Sequence, residues 1–228
     1  MYTNVNLAAP VGVLMFLGTG FLLLVVGLVL VYSVLRKKSG LTKFALVSIA
    51  LLAGLYLVCL LIFSFASKDK VLARGEEKHF CEIDCHLAYS ISDVSETKTL
   101  GEAPNQLTAS GMFRVVTIKT RFDETTTSLN RGDALLYPNS RVVSISGEDG
   151  NQYFPSAEAQ ALLEKSQTAG TDMTIPLRPG DTYSTTLVFD LPADIKNPTL
   201  LIREGEWVTH LVIGHENSPR HKKTRFQL

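Results

Sequence analysis

Charged residues are absent from two long stretches of this chain. No Asp, Glu, Lys or Arg occurs in residues 1–35, and none occurs in residues 44–67. Each stretch contains the ~20 consecutive apolar residues that a helix needs to cross the hydrocarbon core of a bilayer. We therefore predict two transmembrane helices, at residues 11–35 and 44–66, which form a helical hairpin within residues 1–67. Ionisable residues that would mark an ion or proton path are missing from both spans, which argues against a pump or channel built from this chain alone.

The first apolar run also lacks the features of a cleavable signal peptide. No basic residue precedes it, it is longer than a signal-peptide core, and no clear small-residue cleavage site follows it. Over the whole chain the 22 basic residues balance the 22 acidic ones. Nothing therefore indicates electrostatic binding to nucleic acid.

Basic residues set the expected orientation of the hairpin. The loop at residues 36–43 contains Arg36, Lys37, Lys38 and Lys43 and no acidic residue. The positive-inside rule places such a loop in the cytoplasm, so both termini and the rest of the chain are expected outside. Four cations also follow the second span, diluted by three acidic residues, but the first helix usually dominates orientation.

Residues 68–78 are charged and lack strong periodicity, so we predict a stalk there, or a short helical continuation of the second membrane helix. From residue 79 to 228 the pattern changes to period two, which indicates strands. Several short strands separated by turn residues favour a β-sandwich. The predicted strands begin near Leu87 and occupy residues 114–122, 141–146, 182–189, 199–202 and 207–213.

Turn residues separate these strands. Residues 148–151 (Glu-Asp-Gly-Asn) are typical of a hairpin, and residues 178–181 (Arg-Pro-Gly-Asp) of a tight turn. One helix interrupts the strands: Pro155 and Ser156 predict a helix start, and Gly170 limits its end.

The second half of this region resembles a known family. Leu177-Arg178-Pro179-Gly180-Asp181, then Leu187 to Pro192, then Leu200-Leu201-Ile202 form a Pro-Gly turn, a strand ending in Phe-Asp-x-Pro, and an aliphatic strand. This pattern is similar to the closing half of a bacterial family of immunoglobulin-like domains of unknown function, found on secreted and membrane-anchored proteins. The resemblance implies an immunoglobulin-like sandwich with a binding or structural role and no catalysis. The Cys…Trp…Cys pattern of antibody domains is absent.

Residues 79–86 (His-Phe-Cys-Glu-Ile-Asp-Cys-His) contain the densest group of ligand-type side chains, namely His79, Cys81, Cys85 and His86. One interpretation is a structural role, either a disulfide between Cys81 and Cys85, which an oxidising compartment permits, or two free thiols. Residues four apart in a strand lie ~13 Å apart at Cα, far beyond disulfide reach, so this bridge requires a turn.

A soft-metal site is the second interpretation, because two thiolates and two imidazoles suit copper(I) or zinc. The Cys-x-x-x-Cys spacing resembles the copper loops of the second subunit of respiratory oxidases and of membrane-anchored copper chaperones. This chain departs from both patterns: no methionine follows within reach, and His86 stands where the chaperones have proline.

Covalent haem is the third interpretation, although the usual Cys-x-x-Cys-His motif would here have one extra residue. Candidate axial ligands would be His79, His210, His215, His221, Met112 and Met173.

No sequence motif of a nucleophile elbow, phosphate-binding loop, dinucleotide site or zinc protease is present. We therefore expect no enzyme and no small-molecule substrate. The expected protein is a two-pass protein of the bacterial inner membrane that carries an extracytoplasmic immunoglobulin-like domain. It would act as a binding module or accessory subunit whose partners are the bilayer and another protein. The alternative is copper or other soft-metal handling, or redox chemistry, at the residue 79–86 cluster.

Overall fold

The computed structural model describes residues 8–80, 86–127, 130–148 and 150–228. These residues form two compact units. The helical unit contains residues 8–68 together with Trp207–Lys222. The sandwich unit contains Asp69–Glu206 together with Lys223–Leu228. The chain therefore passes from one unit to the other three times.

Two long helices, α1 (Ala8–Leu35) and α2 (Ser39–Ala66), form the hairpin of the helical unit. Lys37 takes a positive φ of 53° in the short turn, and Ser33 and Thr42 share a hydrogen bond of 2.9 Å across it. In the most apolar stretch of α1, 0% of the residues are buried, and in that of α2, 6% are. A core helix of a soluble domain would be mostly buried. Both helices are long and apolar enough to cross a membrane. The second helix begins at Ser39 rather than at residue 44, so Lys43 lies within its first turns.

Within the described residues, nine strands form the two sheets of the sandwich unit. The four-stranded sheet has the order β2-β3-β4-β7, and the five-stranded sheet has the order β1-β9-β8-β5-β6. The strands are β1 (Lys70–Leu72), β2 (Lys78–Phe80), β3 (Leu87–Leu100), β4 (Leu107–Phe122), β5 (Arg141–Ser146), β6 (Gln152–Tyr153), β7 (Thr182–Leu191), β8 (Thr199–Glu204) and β9 (Thr224–Gln227).

One hydrophobic core lies between the sheets, because each strand turns alternate side chains inward. Ile118 and Phe189 enter it from the four-stranded sheet, and Ile145, Ile202 and Phe226 enter it from the five-stranded sheet. All five of these side chains are fully buried. The predicted β-sandwich is therefore confirmed. The parallel pairing of β1 with β9 makes it a mixed sandwich, and the immunoglobulin-like assignment is not confirmed by this topology.

The predicted short helix is also confirmed, as α3 (Ala157–Lys165). Ser156 caps it by accepting a hydrogen bond from the Ala159 backbone N–H, as expected for a serine at this position. Ala159 packs with Phe113 and Val188 in a second, smaller cluster. Because Val188 alternates with the core residue Phe189 along β7, α3 lies on the outer face of the four-stranded sheet.

Two predictions for the sandwich were wrong. Residues 68–78 are not simply a stalk, because Lys70–Leu72 forms β1 and pairs in parallel with β9. Residues 207–213 are not a strand, because Trp207–Leu211 forms a 3₁₀ helix and belongs to the helical unit. Of its apolar residues, Val212 and Ile213 are buried, whereas Trp207, Val208 and Leu211 are exposed.

Candidate functional site

A row of three residues on the outer face of the four-stranded sheet builds the candidate site. His79 in β2 pairs with Ala88 in β3, and Ala88 pairs with Arg121 in β4. Neighbouring strands are about 4.8 Å apart, so His79 and Arg121 are separated by two strand spacings. The middle residue has only a methyl group, which leaves room for the two long side chains to reach the same acidic groups above it.

Asp123 follows β4 and joins the two ends of this row. Its Oδ1 accepts hydrogen bonds from the Thr125 N–H and hydroxyl, at 3.1 and 2.7 Å. Its Oδ2 lies 3.1 Å from both His79 Nε2 and Arg121 Nη2. The local turn therefore fixes the carboxylate, and the second oxygen is left to hold His79 and Arg121.

Glu77 completes the group from the residue before β2. Arg121 donates from Nε and Nη2 to the two carboxylate oxygens, at 2.8 and 2.7 Å. This bidentate bond is the main cause of the lowered pKa of Glu77, and it raises the pKa of Arg121. Burial acts to raise the pKa of Asp123, but hydrogen bonds from Thr125, Arg121 and His79 outweigh it and hold that pKa well below its usual range. Two carboxylates and one guanidinium leave this group with one excess negative charge.

The hydrogen bond to Asp123 also determines the tautomer of His79. An ionised carboxylate can only accept, so Nε2 must carry the proton and Nδ1 of the neutral ring keeps its lone pair. The Nδ1 atom is buried and has no hydrogen-bond partner within the described parts of the chain. An imidazole oriented by a carboxylate through one nitrogen, with the other nitrogen left as an acceptor, is the arrangement found in metal ligands and general bases.

His86 is held for a structural role. It is 5% exposed, its Nδ1 lies 2.5 Å from the Thr126 hydroxyl, and its ring stacks on Phe122 with centroids 5.3 Å apart. Its backbone carbonyl accepts from the Asp123 N–H at 2.7 Å. The predicted partnership of His86 with His79 in one ligand set therefore has no support from this geometry.

Cys81 and Cys85 lie outside the described residues, in the connection between β2 and β3. Cys59, the cysteine that is described, is a free thiol in α2. The predicted disulfide therefore has no structural support, and a thiolate site at Cys81 and Cys85 stays a prediction.

Glu77, His79 and Asp123 are, among the described residues, the acidic and histidine side chains close enough to share a metal ion. One ligand atom from each lies within 4.8 Å of the others. Arg121 already occupies both carboxylates, so an ion bound between all three would have to displace its guanidinium and the Nε2 proton. Among the described side chains of this group, Nδ1 of His79 is the ligand atom that has no hydrogen-bond partner.

Sequence reasoning found His79 through its closeness to the cysteines but missed Arg121 and Asp123. Each lies more than 40 residues further along the chain, and only the register of β2, β3 and β4 brings them to His79. An alternating strand that ends in Arg-Phe-Asp is a signal for a charged outer face, but it does not indicate the partner.

No family of proteins matches this sequence, and no curated protein matches it. Solved structures do show similarity to the chain. A secreted protein of Mycobacterium tuberculosis, MPT63, is 10% identical, with a TM-score of 0.43 over 72% of this chain and 100% of its own. An uncharacterized β-sandwich protein of Clostridium difficile is 14% identical, with a TM-score of 0.37 over 71% of this chain and 95% of its own. The yjhA protein of Bacillus subtilis is 13% identical, with a TM-score of 0.41 over 71% of this chain and 99% of its own.

Proposed function

We propose that this chain is a membrane protein in which α1 and α2 span the bilayer and hold the β-sandwich on the extracytoplasmic side. The observation that carries the proposal is the outward exposure of two apolar helices, each 28 residues long, in which Lys43 near the start of α2 is the one charged residue. Such surfaces are stable in lipid and costly in water. The cations of the α1–α2 turn support a cytoplasmic location for that turn.

Cysteine labelling of whole spheroplasts tests this orientation. In a variant with Cys59→Ala, Cys81→Ser and Cys85→Ser, a membrane-impermeant maleimide should label a new cysteine at Tyr137, which is 67% exposed on the sandwich. A new cysteine at Gly40, in the turn region, should be labelled only after the membrane is opened. The reverse pattern would contradict the orientation, and recovery of the chain in the soluble fraction would contradict the anchor.

The sandwich is proposed to act as a binding module or accessory subunit of a membrane complex. Support comes from three large apolar side chains that are exposed on two adjacent segments: Leu135, Tyr137 and Ile175. The segments are joined by reciprocal backbone hydrogen bonds between Leu136 and Leu177, at 2.8 and 3.0 Å. Exposed apolar groups on two paired segments are typical of protein contact surfaces.

Copurification from mild detergent tests this role. The native chain should retain a membrane protein partner at fixed stoichiometry, and Tyr137→Asp should release it. Phe154→Asp is the matched control, because Phe154 is also exposed but lies outside these two segments. Full retention by the Tyr137→Asp variant would contradict this surface as the binding site.

Metal handling is the second candidate, and one observation favours it: the buried, unpartnered Nδ1 of His79 on an imidazole oriented by Asp123. The excess negative charge of the group would also favour a bound cation. Cys81, two residues along the chain, is the predicted thiolate partner.

Metal analysis of the purified full chain tests this candidate. About one equivalent of copper or zinc is expected, lost in His79→Gln and in the double variant Cys81→Ser, Cys85→Ser, and kept in His210→Gln. A metal-free chain whose cysteines resist alkylation until they are reduced would contradict metal handling and support the disulfide. A Soret absorption band would instead support haem.

A further inference from the structure

The segment Trp207–Lys222, which we name the docked segment, leaves the sandwich after β8 and packs on the α1–α2 hairpin. Tyr56 of α2 donates from its hydroxyl to the Leu211 carbonyl at 2.6 Å. Further along, the Lys222 N–H donates to the Ser67 hydroxyl at 2.8 Å. Both ends of the docked segment are thus hydrogen-bonded to the second helix or the residue that follows it.

Gly12 of α1 provides the contact on the other helix. A Cβ at this position would overlap the Ile213 carbonyl oxygen and touch the Val212 side chain. Val212 and Ile213 are 6% and 3% exposed. At Gly18, Gly20 and Gly27 of the same helix a Cβ would meet nothing within 4 Å. Gly12 therefore differs from the other α1 glycines by allowing backbone to lie directly against the helix.

The docked segment buries one set of apolar side chains and exposes another. Trp207 is 70% exposed, and Val208 and Leu211 are 37% and 39% exposed. These three residues belong to one short 3₁₀ helix that is already attached to the most apolar surface of the chain. They are held, through the Leu211 carbonyl, next to a helix that we have proposed to lie in lipid.

Helix lengths give the depth of this contact. The 28 residues of α2 are about 42 Å long, roughly 12 Å more than a hydrocarbon core. Tyr56 precedes the last residue of α2 by ten positions, which is about 15 Å. With the whole excess of α2 on the outer side, Tyr56 lies about 3 Å inside the outer hydrocarbon boundary, and with less excess there it lies deeper. Leu211, which is bonded to Tyr56, is therefore carried to this boundary or below it.

Polar and basic residues occupy the later half of the docked segment. The Arg220 guanidinium lies 6.0 Å from the ring centroid of Phe65, in the last turn of α2. Arg220 and Lys222 against Glu216 give residues 207–222 one excess positive charge. An aromatic residue at the hydrocarbon boundary and cations beyond it are the pattern of membrane interfaces.

We propose that the docked segment is a second membrane-binding element: Trp207, Val208 and Leu211 insert into the outer interface of the bilayer, and Arg220 and Lys222 lie at the level of the lipid phosphates. This inference rests on the proposed membrane anchor. The chain would then contact lipid through the docked segment as well as through the two helices.

Trp207 is the one tryptophan of the chain, so its fluorescence reports this site directly. The full chain is reconstituted in phosphatidylcholine and phosphatidylglycerol vesicles that carry bromine at shallow, middle or deep acyl positions. Shallow bromines should reduce the fluorescence about twofold, and deep bromines should reduce it less, as expected for interfacial insertion. A Trp207→Phe, Tyr137→Trp variant is the control, and its tryptophan should show no quenching by any of these lipids.

Gly12→Ala tests whether the docked segment must lie against α1 for Trp207 to reach its depth in the bilayer. Its added methyl should displace the docked segment, lower the quenching by shallow bromines and increase quenching by aqueous acrylamide. Gly18→Ala is the matched control and should behave like the native chain.

The outcomes separate the two proposals. A chain that resists alkaline extraction from the vesicles but leaves Trp207 unquenched by lipid would overturn the lipid contact and leave the anchor intact. A chain that is extracted at alkaline pH would overturn the anchor itself. Equal quenching in Gly12→Ala and Gly18→Ala would overturn docking at Gly12 as the cause of insertion.

Discussion

Replacing Asp123 by asparagine removes the group that joins His79 to Arg121. An amide that keeps its oxygen toward Thr125 must turn its NH₂ toward His79 and Arg121, so that it opposes the Arg121 donor. His79 can accept from this NH₂ only by moving its proton to Nδ1, which has no hydrogen-bond partner among the described residues. Hydrogen bonds to a charged group contribute about 1.5–3 kcal/mol each. The Asp123 side chain is 10% exposed, but Arg121 keeps its bidentate bond to Glu77 and is 29% exposed. We therefore expect a net loss of about 2–3 kcal/mol.

Thermal unfolding of the full chain in detergent micelles measures this loss. For a protein of this size 1 kcal/mol corresponds to a Tm change of about 2–4 °C, so Asp123→Asn should lower the Tm by about 5–10 °C at pH 7. The control is Asp133→Asn. The Asp133 side chain is 73% exposed in its ion pair with Arg178, and a surface pair of this kind contributes at most about 1 kcal/mol.

The effect of Asp123→Asn must also depend on pH. Because the pKa of Asp123 is lowered in the folded chain, its stabilisation is complete above the unfolded value of about 3.9 and is lost progressively as the pH falls from there toward the lowered folded-state pKa. The Tm difference between the two proteins should therefore shrink from pH 5 toward pH 2. The free-energy difference should change by at most about 1.4 kcal/mol per pH unit. An equal difference at pH 7 and pH 3, or none at pH 7, would refute the assignment of an ionised, bonded Asp123.

Three further substitutions test the sandwich, each by thermal unfolding of the full chain. Phe226→Ala should cost about 3–5 kcal/mol because the ring is fully buried between the sheets, whereas Phe154→Ala, at a 53% exposed ring, should change the stability by less than about 0.5 kcal/mol. Gly111→Ala should cost about 1–3 kcal/mol, because its methyl would overlap a backbone carbonyl of β7, and an unchanged Tm would contradict that close approach. Tyr183→Phe should cost about 1 kcal/mol, since the hydroxyl donates to a backbone carbonyl at 2.9 Å, and a more stable variant would contradict that bond.

Local patterns predicted those parts of the fold that depend on local rules. Two uncharged runs predicted α1 and α2, and alternation predicted the long strands, because each strand has one face toward the core. Ser156 predicted the start of α3, because a capping side chain acts within one turn.

The parts that the sequence did not predict depend on partners far along the chain. The three residues of β1 have no pattern of their own, and their strand exists because β9 pairs with it 154 positions later. Residues 207–213 carry the alternation of a strand, but the surface that they cover is a helix pair. In the candidate site His79 was identified from its neighbours in sequence, whereas Arg121 and Asp123 required the register of three strands.

The three passages of the chain between the units affect how the sandwich can be released from its anchor. A protease that cuts between residues 68 and 69 leaves the sandwich joined to the docked segment, which is still held by Tyr56 and Gly12. A cut between residues 206 and 207 leaves it joined to α2. The same order of segments affects biosynthesis, since β9 lies between β1 and β8 and is made only after the docked segment. The five-stranded sheet therefore closes only after β9 is made. This chain order disfavours release of the sandwich by a single cleavage, and it disfavours folding of the sandwich before β9 is synthesised.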